Sequence, residues 1–141
     1  MNAWTIYALL SAVFAALTAV LAKVGIKDVD SNLGTAVRTL VILCVSWGLV
    51  AAQGTYRLLP TLSARTLVFL GLSGLATGAS WLCYFHALKL GPASRVAPLD
   101  KLSVPLTVLL AFCFLHEPVT WKAWAGVALM TGGALMLLQA R

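Results

Sequence analysis

The chain has 141 residues, 61% of them apolar and 10% charged, with a formal net charge of +6. Soluble domains carry about 45–50% apolar and about 25% charged residues, so neither a soluble fold nor a soluble enzyme is expected. The basic residues are scattered through loops and span ends rather than gathered in the patch that nucleic acid requires, so they point to membrane topology and not to nucleic-acid binding.

In chain order, the first apolar run is Ala3–Ala22. It exceeds the ~7–15 apolar residues of a signal-peptide core, and no basic residue precedes it, so a spanning helix is expected. The second run, Leu33–Ala52, carries Arg38. The third, Leu67–Leu88, holds Gly71, Gly74 and Gly78, then Trp81, Tyr84 and His86. The fourth, Val96–Leu115, contains Asp100 and Lys101 between Pro98 and Pro105. Gly91-Pro92 ahead of it places the helix start at Pro92, because Pro suits the first helical position. The fifth, Trp121–Leu138, contains Gly126, Gly132 and Gly133.

A spanning helix needs about 20 apolar residues. Barrel strands are about 10 residues long and alternate in polarity, which these runs do not. The expected fold is therefore all-α and integral to the membrane. It is one domain over 1–141, a five-transmembrane-helix bundle at about 3–22, 33–52, 67–88, 92–115 and 121–138. Gly74-x-x-x-Gly78 and Ala128-x-x-x-Gly132 allow close backbone approach, within one chain or between two. Cys44, Cys83 and Cys113 lie inside spans without metal or redox spacing and read as small apolar residues. No metal, cofactor or catalytic residue is expected.

With five spans the two ends lie on opposite sides. Lys23, Lys27, Lys89, Arg95 and Arg141 share one side; Arg57, Arg65 and Lys122 share the other. The bias of 5 to 3 favours a cytoplasmic C-terminus, and becomes 4 to 3 if Arg95 lies within the fourth helix. A margin this small is compatible with insertion in both orientations. Trp4, Trp47 and Trp121 near span ends read as interfacial anchors.

Ionisable groups at membrane depth cost roughly 2.5–3.5 kcal/mol each on insertion scales and mark functional paths. Arg38 lies about 8 Å into its span and Asp100 about 12 Å past Pro92, both from the same membrane side. His86 is near the end of the third span on that side, with Trp81 and Tyr84 one or two turns deeper. Asp100 and Lys101 are expected not to pair, because neighbours on a helix point about 100° apart. Asp100 is expected to face Arg38, leaving Lys101 for a second partner or an anionic ligand. Pro98 and Pro105 each remove a backbone donor. Broken helices beside polar side chains are how many transporters build a midplane site. Arg38, Trp81, Tyr84, His86, Asp100 and Lys101 are thus the candidate substrate or ion-path residues, with Asp100 the candidate proton carrier. Glu117, next to Pro118 and a capping Thr120, reads as structural.

Tyr84-Phe-His-Ala-Leu-Lys-Leu-Gly-Pro-Ala-Ser, then Pro105, Leu115-His-Glu-Pro-Val-Thr and Trp124-Ala-Gly-Val-Ala-Leu-Met-Thr-Gly-Gly resemble one repeat of the EamA family of the drug/metabolite transporter superfamily. Arg38 in Ala36-Val-Arg-Thr-Leu resembles the family's Arg near the start of its second helix. Members of that family typically carry two such five-helix repeats in inverted orientation and export metabolites, amino acids or drugs. The resemblance implies that this single repeat pairs with another half. That half is a second identical chain, antiparallel as in the small multidrug resistance branch, or a related half-transporter. The expected function is alternating-access transport of a small-molecule substrate across the inner membrane, within the lipid bilayer. A lipid-linked substrate flippase subunit and a non-transporting membrane interaction protein are the alternatives.

Overall fold

The computed structural model describes residues 2–139. Its helices are α1 (Ala3–Gly25), α2 (Ser31–Gln53), α3 (Ala64–Leu90), α4 (Ala93–Asp100), α5 (Ser103–Phe114) and α6 (Trp121–Gln139), with a 3₁₀ segment over Thr55–Thr61. Four of the five expected spans are unbroken, and each extends one to three residues beyond its apolar run at one or both ends. Five stretches of 19 to 27 residues, counting Ala93–Phe114 as one, are long and apolar enough to cross a bilayer. At 1.5 Å per residue they reach roughly 28–40 Å, against a hydrocarbon core of about 30 Å. Their apolar side chains stay exposed along their length, as lipid-facing helices require: Phe14, Leu40, Phe69, Leu110 and Leu129 are examples.

The fourth span departs from the expected single helix. Residues 101 and 102 form a turn between α4 and α5. Pro105 explains where the break falls. It has no N–H to give the carbonyl four residues earlier, Lys101, and its ring crowds that carbonyl. The Lys101 carbonyl accepts from Val104 N instead, at 3.0 Å, and Lys101 N and Leu102 N donate to the Pro98 and Leu99 carbonyls at 3.1 and 3.0 Å. These are i to i−3 bonds, the tight pattern of a helix end. Pro98 is accommodated inside α4. Pro92 caps this helix rather than opening it, with ψ 139. Arg95 falls within α4, which leaves the 4 to 3 loop bias.

The chain divides into two compact units: Leu21–Leu90, and the described part of Met1–Val20 with Gly91–Arg141. In the first, α2 packs on α3. The Asp30 side chain caps α2, its Oδ1 accepting from Asn32 N at 2.9 Å and Leu33 N at 3.1 Å. Gly54 closes the other end at φ 68, a left-handed turn suited to Gly. The packed seam is amphipathic in an unusual way. On α2, Ser31 and Thr35 are buried, and the Thr35 hydroxyl donates a hydrogen bond back to the Ser31 carbonyl at 2.8 Å. On α3, Phe85 is 3% exposed and Leu88 fully buried. Gly34 admits Ile26 and Phe85: a Cβ there would sit 3.6 Å and 4.0 Å from their side chains. Two lysines fasten the α1–α2 turn to the end of α3. Lys23 Nζ donates to the Leu88 carbonyl, and Lys89 Nζ to the Val29 carbonyl at 3.0 Å.

In the second unit, α4 and α5 pack on α6. Phe112 meets Trp124 edge to face, with ring centres 5.9 Å apart. Ala123 N donates to Thr120 Oγ1 at 3.4 Å at the start of α6, in line with the expected cap. After α5, His116 adopts φ 54, and Glu117 N donates to the Ala111 carbonyl at 3.3 Å. The backbone of Glu117 thus helps to close α5.

Candidate functional site

The α2–α3 seam gathers most of the polar residues expected at membrane depth. Ser31, Thr35 and Arg38 recur every three or four residues and share one face of α2; Trp81, Phe85 and Leu88 do the same on α3. The Arg38 guanidinium lies 4.2 Å from the centre of the Trp81 ring and 5.2 Å from that of Phe85. Both are within the ~6 Å range of a cation–π contact, and Arg is the cation that stacks best on aromatic faces. Trp81 lies nine residues before Leu90, the end of α3, and Phe85 five, so the guanidinium sits roughly 8–14 Å below that helix end. It lies alongside the two rings rather than beyond the end of α3.

Arg38 has no carboxylate partner and no hydrogen-bond acceptor among the described residues. A guanidinium carries five N–H donors in a planar fork that matches carboxylate and phosphate. The rings stabilise the charge and leave those donors at the edge of the plane available.

On α3 His86 lies five residues, more than one turn, nearer the Leu90 end than Trp81, but only two residues, about half a turn, nearer than Tyr84, which is shallower than expected. Its Nδ1 shares a hydrogen bond with Ser31 Oγ at 3.3 Å, so it bridges α3 to the first turn of α2. The Tyr84 ring stands edge-on to Phe85, with centres 6.3 Å apart. Phe85 and Ser31 were missed by sequence reasoning. Phe85 reads as one more lipid-facing side chain, and Ser31 precedes the apolar run; the spacings 81/85 and 31/35/38 were the available signal.

Asp100 and Lys101 pair, contrary to the expectation from helix spacing. They form an ion pair, Lys101 Nζ to Asp100 Oδ2 at 3.3 Å. On a continuous helix the two would point about 100° apart, but the backbone turns at Lys101, so the side chains meet. Arg38 therefore has its aromatic partners within Leu21–Leu90, while Asp100 in the other unit has a cation beside it in sequence.

The chain matches the model of the EamA-like transporter family over residues 2–139. It is 54% identical over 136 residues, 96% of each chain, to an uncharacterized transporter in the cobO 3′ region of Sinorhizobium sp.. It is 28% identical over 100 residues to the probable 4-amino-4-deoxy-L-arabinose-phosphoundecaprenol flippase subunit ArnE of Hamiltonella defensa, covering 71% of this chain and 90% of that one. It is 42% identical over 72 residues to the probable 4-amino-4-deoxy-L-arabinose-phosphoundecaprenol flippase subunit ArnF of Erwinia tasmaniensis, covering 50% of this chain and 55% of that one. No solved structure matches the chain. The match to the family model runs through every span, α1 to α6, and on it this chain belongs to the EamA-like transporter family.

Proposed function

We propose that the chain is one half of a secondary transporter for small molecules bearing an anionic group, working by alternating access in the inner membrane. The observation that carries this reading is Arg38, a cation at membrane depth set on two aromatic rings with its donors free of acidic partners among the described residues. A charge in hydrocarbon is costly and is kept where it serves a path. A substrate carboxylate or phosphate neutralises it through paired hydrogen bonds, and Trp81 offers a flat apolar surface beside it. Tyr84 and His86 extend the same side of the path. Asp100 and Lys101, at the break in the fourth span, form a second polar point with no net charge.

The other half is a second copy, antiparallel or not, or a related chain. The glycines support a partner helix. A Cβ at Gly71, Gly74 or Gly78 of α3, or at Gly126, Gly132 or Gly133 of α6, would meet nothing within 4 Å. Faces of that kind permit close helix contact.

The likeness to ArnE and ArnF favours a second reading, a subunit of a flippase for a lipid-linked substrate. Both readings use an anion-binding Arg38, and they differ in the cargo. The test is flux through purified protein in liposomes, with water-soluble anionic metabolites in one series and a fluorescent isoprenoid phosphate in the other. Arg38→Met is expected to lower flux about tenfold or more, the worth of a charge-assisted hydrogen-bonded contact. Arg38→Lys keeps the charge without the planar fork and is expected to fall between. Both variants should melt like the parent. Unchanged flux in a folded Arg38→Met protein overturns the assignment.

A further inference from the structure

A second cationic feature lies at the surface end of the Leu21–Leu90 unit, apart from Arg38. An open cavity of about 440 Å³ is lined by Lys23, Val24, Ile26, Lys27 and Lys89. Three of its five lining residues are therefore ammonium-bearing, and the other two are apolar. Lys23 and Lys89 lie in the last turns of α1 and α3, where cations suit the negative helix ends. Their contacts with the Leu88 and Val29 carbonyls hold both chains in place. Helix-end neutralisation thus accounts for two of the lysines. It does not account for Lys27, which follows α1 in the turn and has no hydrogen bond or ion pair among the described residues.

Two carboxylates share this loop. Asp30 is occupied with the amides of Asn32 and Leu33, and neither Asp28 nor Asp30 forms an ion pair with Lys27 or Lys89 among the described residues. Lys89 attracts the Asp30 carboxylate without an ion pair, and the three lysines still outnumber the two carboxylates of the loop by one charge. The position of the cavity joins that charge to hydrocarbon: Val24, in the last turn of a spanning helix, is 73% exposed. A cationic rim over an apolar wall, where a span ends, is complementary to an anion carried on an alkyl chain. Ammonium groups are point-charge binders of phosphate and need no planar fork.

We infer that Lys23, Lys27 and Lys89 form a binding site for a phosphate group, carried on an anionic lipid at the membrane surface. The site is distinct from Arg38, and the inference does not rest on flux. It is tested by binding alone, with native mass spectrometry of the purified full chain in detergent. The probes are phosphatidate, phosphatidylcholine of the same acyl chains, and phosphatidate in competition with inorganic phosphate. Lys27→Gln is the informative variant, since Lys27 holds no structural contact, and Lys122→Gln is the control for loss of one surface charge. Phosphatidate is expected to be retained over phosphatidylcholine. Lys27→Gln is expected to weaken that retention about fivefold, the worth of one ammonium at a phospholipid surface, while Lys122→Gln leaves it unchanged. Displacement by inorganic phosphate supports a site that reads phosphate itself; resistance to displacement supports one that also reads the alkyl chain. Equal retention of the two lipids, or equal effects of the two substitutions, overturns the inference.

Discussion

Asp30 shows how one side chain can set both a helix start and a pH response. Its carboxylate is held below its ordinary pKa first by the bond from Leu33 N–H, then by that from Asn32 N–H, with Lys89 and His86 adding attraction; desolvation acts the other way. A carboxylate with a lowered folded-state pKa contributes stability that is fully present above its unfolded value. That contribution is lost as the pH falls through the lowered value. Melting temperature in detergent should therefore decline on acidification below the ordinary carboxylate range. Asp30→Asn keeps an N-capping side chain without the charge, so it should melt near the parent at low pH and show a flatter pH profile. An unaltered profile would show that other carboxylates govern the acid response. Arg38 illustrates the opposite case, a charge satisfied by rings rather than by acceptors. The sequence puts it in the same half of the membrane as His86, Asp100 and Lys101, but does not assign it Trp81 as a partner. The second ring, Phe85, needed the packed seam, because an apolar residue in an apolar run has no signature of its own.

Among the elements, the joint between α4 and α5 is the most informative. The four continuous spans are legible in the sequence because each apolar run matches the bilayer thickness. Their ends extend past the apolar residues because Asp30, Ser31, Lys23 and Lys89 are compatible with helix termini, where polarity and capping decide. The joint was only half legible. Two prolines announced a disturbance, but only Pro105 sets its place, through the carbonyl of Lys101. Pro105→Ala restores the missing donor and should fuse α4 with α5. Amide exchange of residues 101 to 105 should then slow about fivefold, the effect of one net hydrogen bond of about 1 kcal/mol. The Asp100–Lys101 pair should separate, because the continuous helix turns neighbours about 100° apart. Exchange rates equal to the parent's would place the cause of the break elsewhere.

For the whole molecule, α3 and α6 each carry glycines at which an added Cβ meets nothing within 4 Å among the described residues. If α3 and α6 carry the proposed pairing, Gly74→Leu and Gly132→Leu should reduce self-association in liposomes, read as energy transfer between labelled chains. Helix content should stay at the parent's level, since a Cβ at either position meets nothing within 4 Å. Association unchanged in both variants would direct the search to other faces. The crossed fastening of Lys23 to the Leu88 carbonyl and Lys89 to the Val29 carbonyl has a mechanical meaning. One tether runs from α1 to α3, the other from α3 back to the turn after α1. This end of the Leu21–Leu90 unit is therefore braced like a corner tied from both sides, and α3 parts from the α1–α2 turn only when both ties give way.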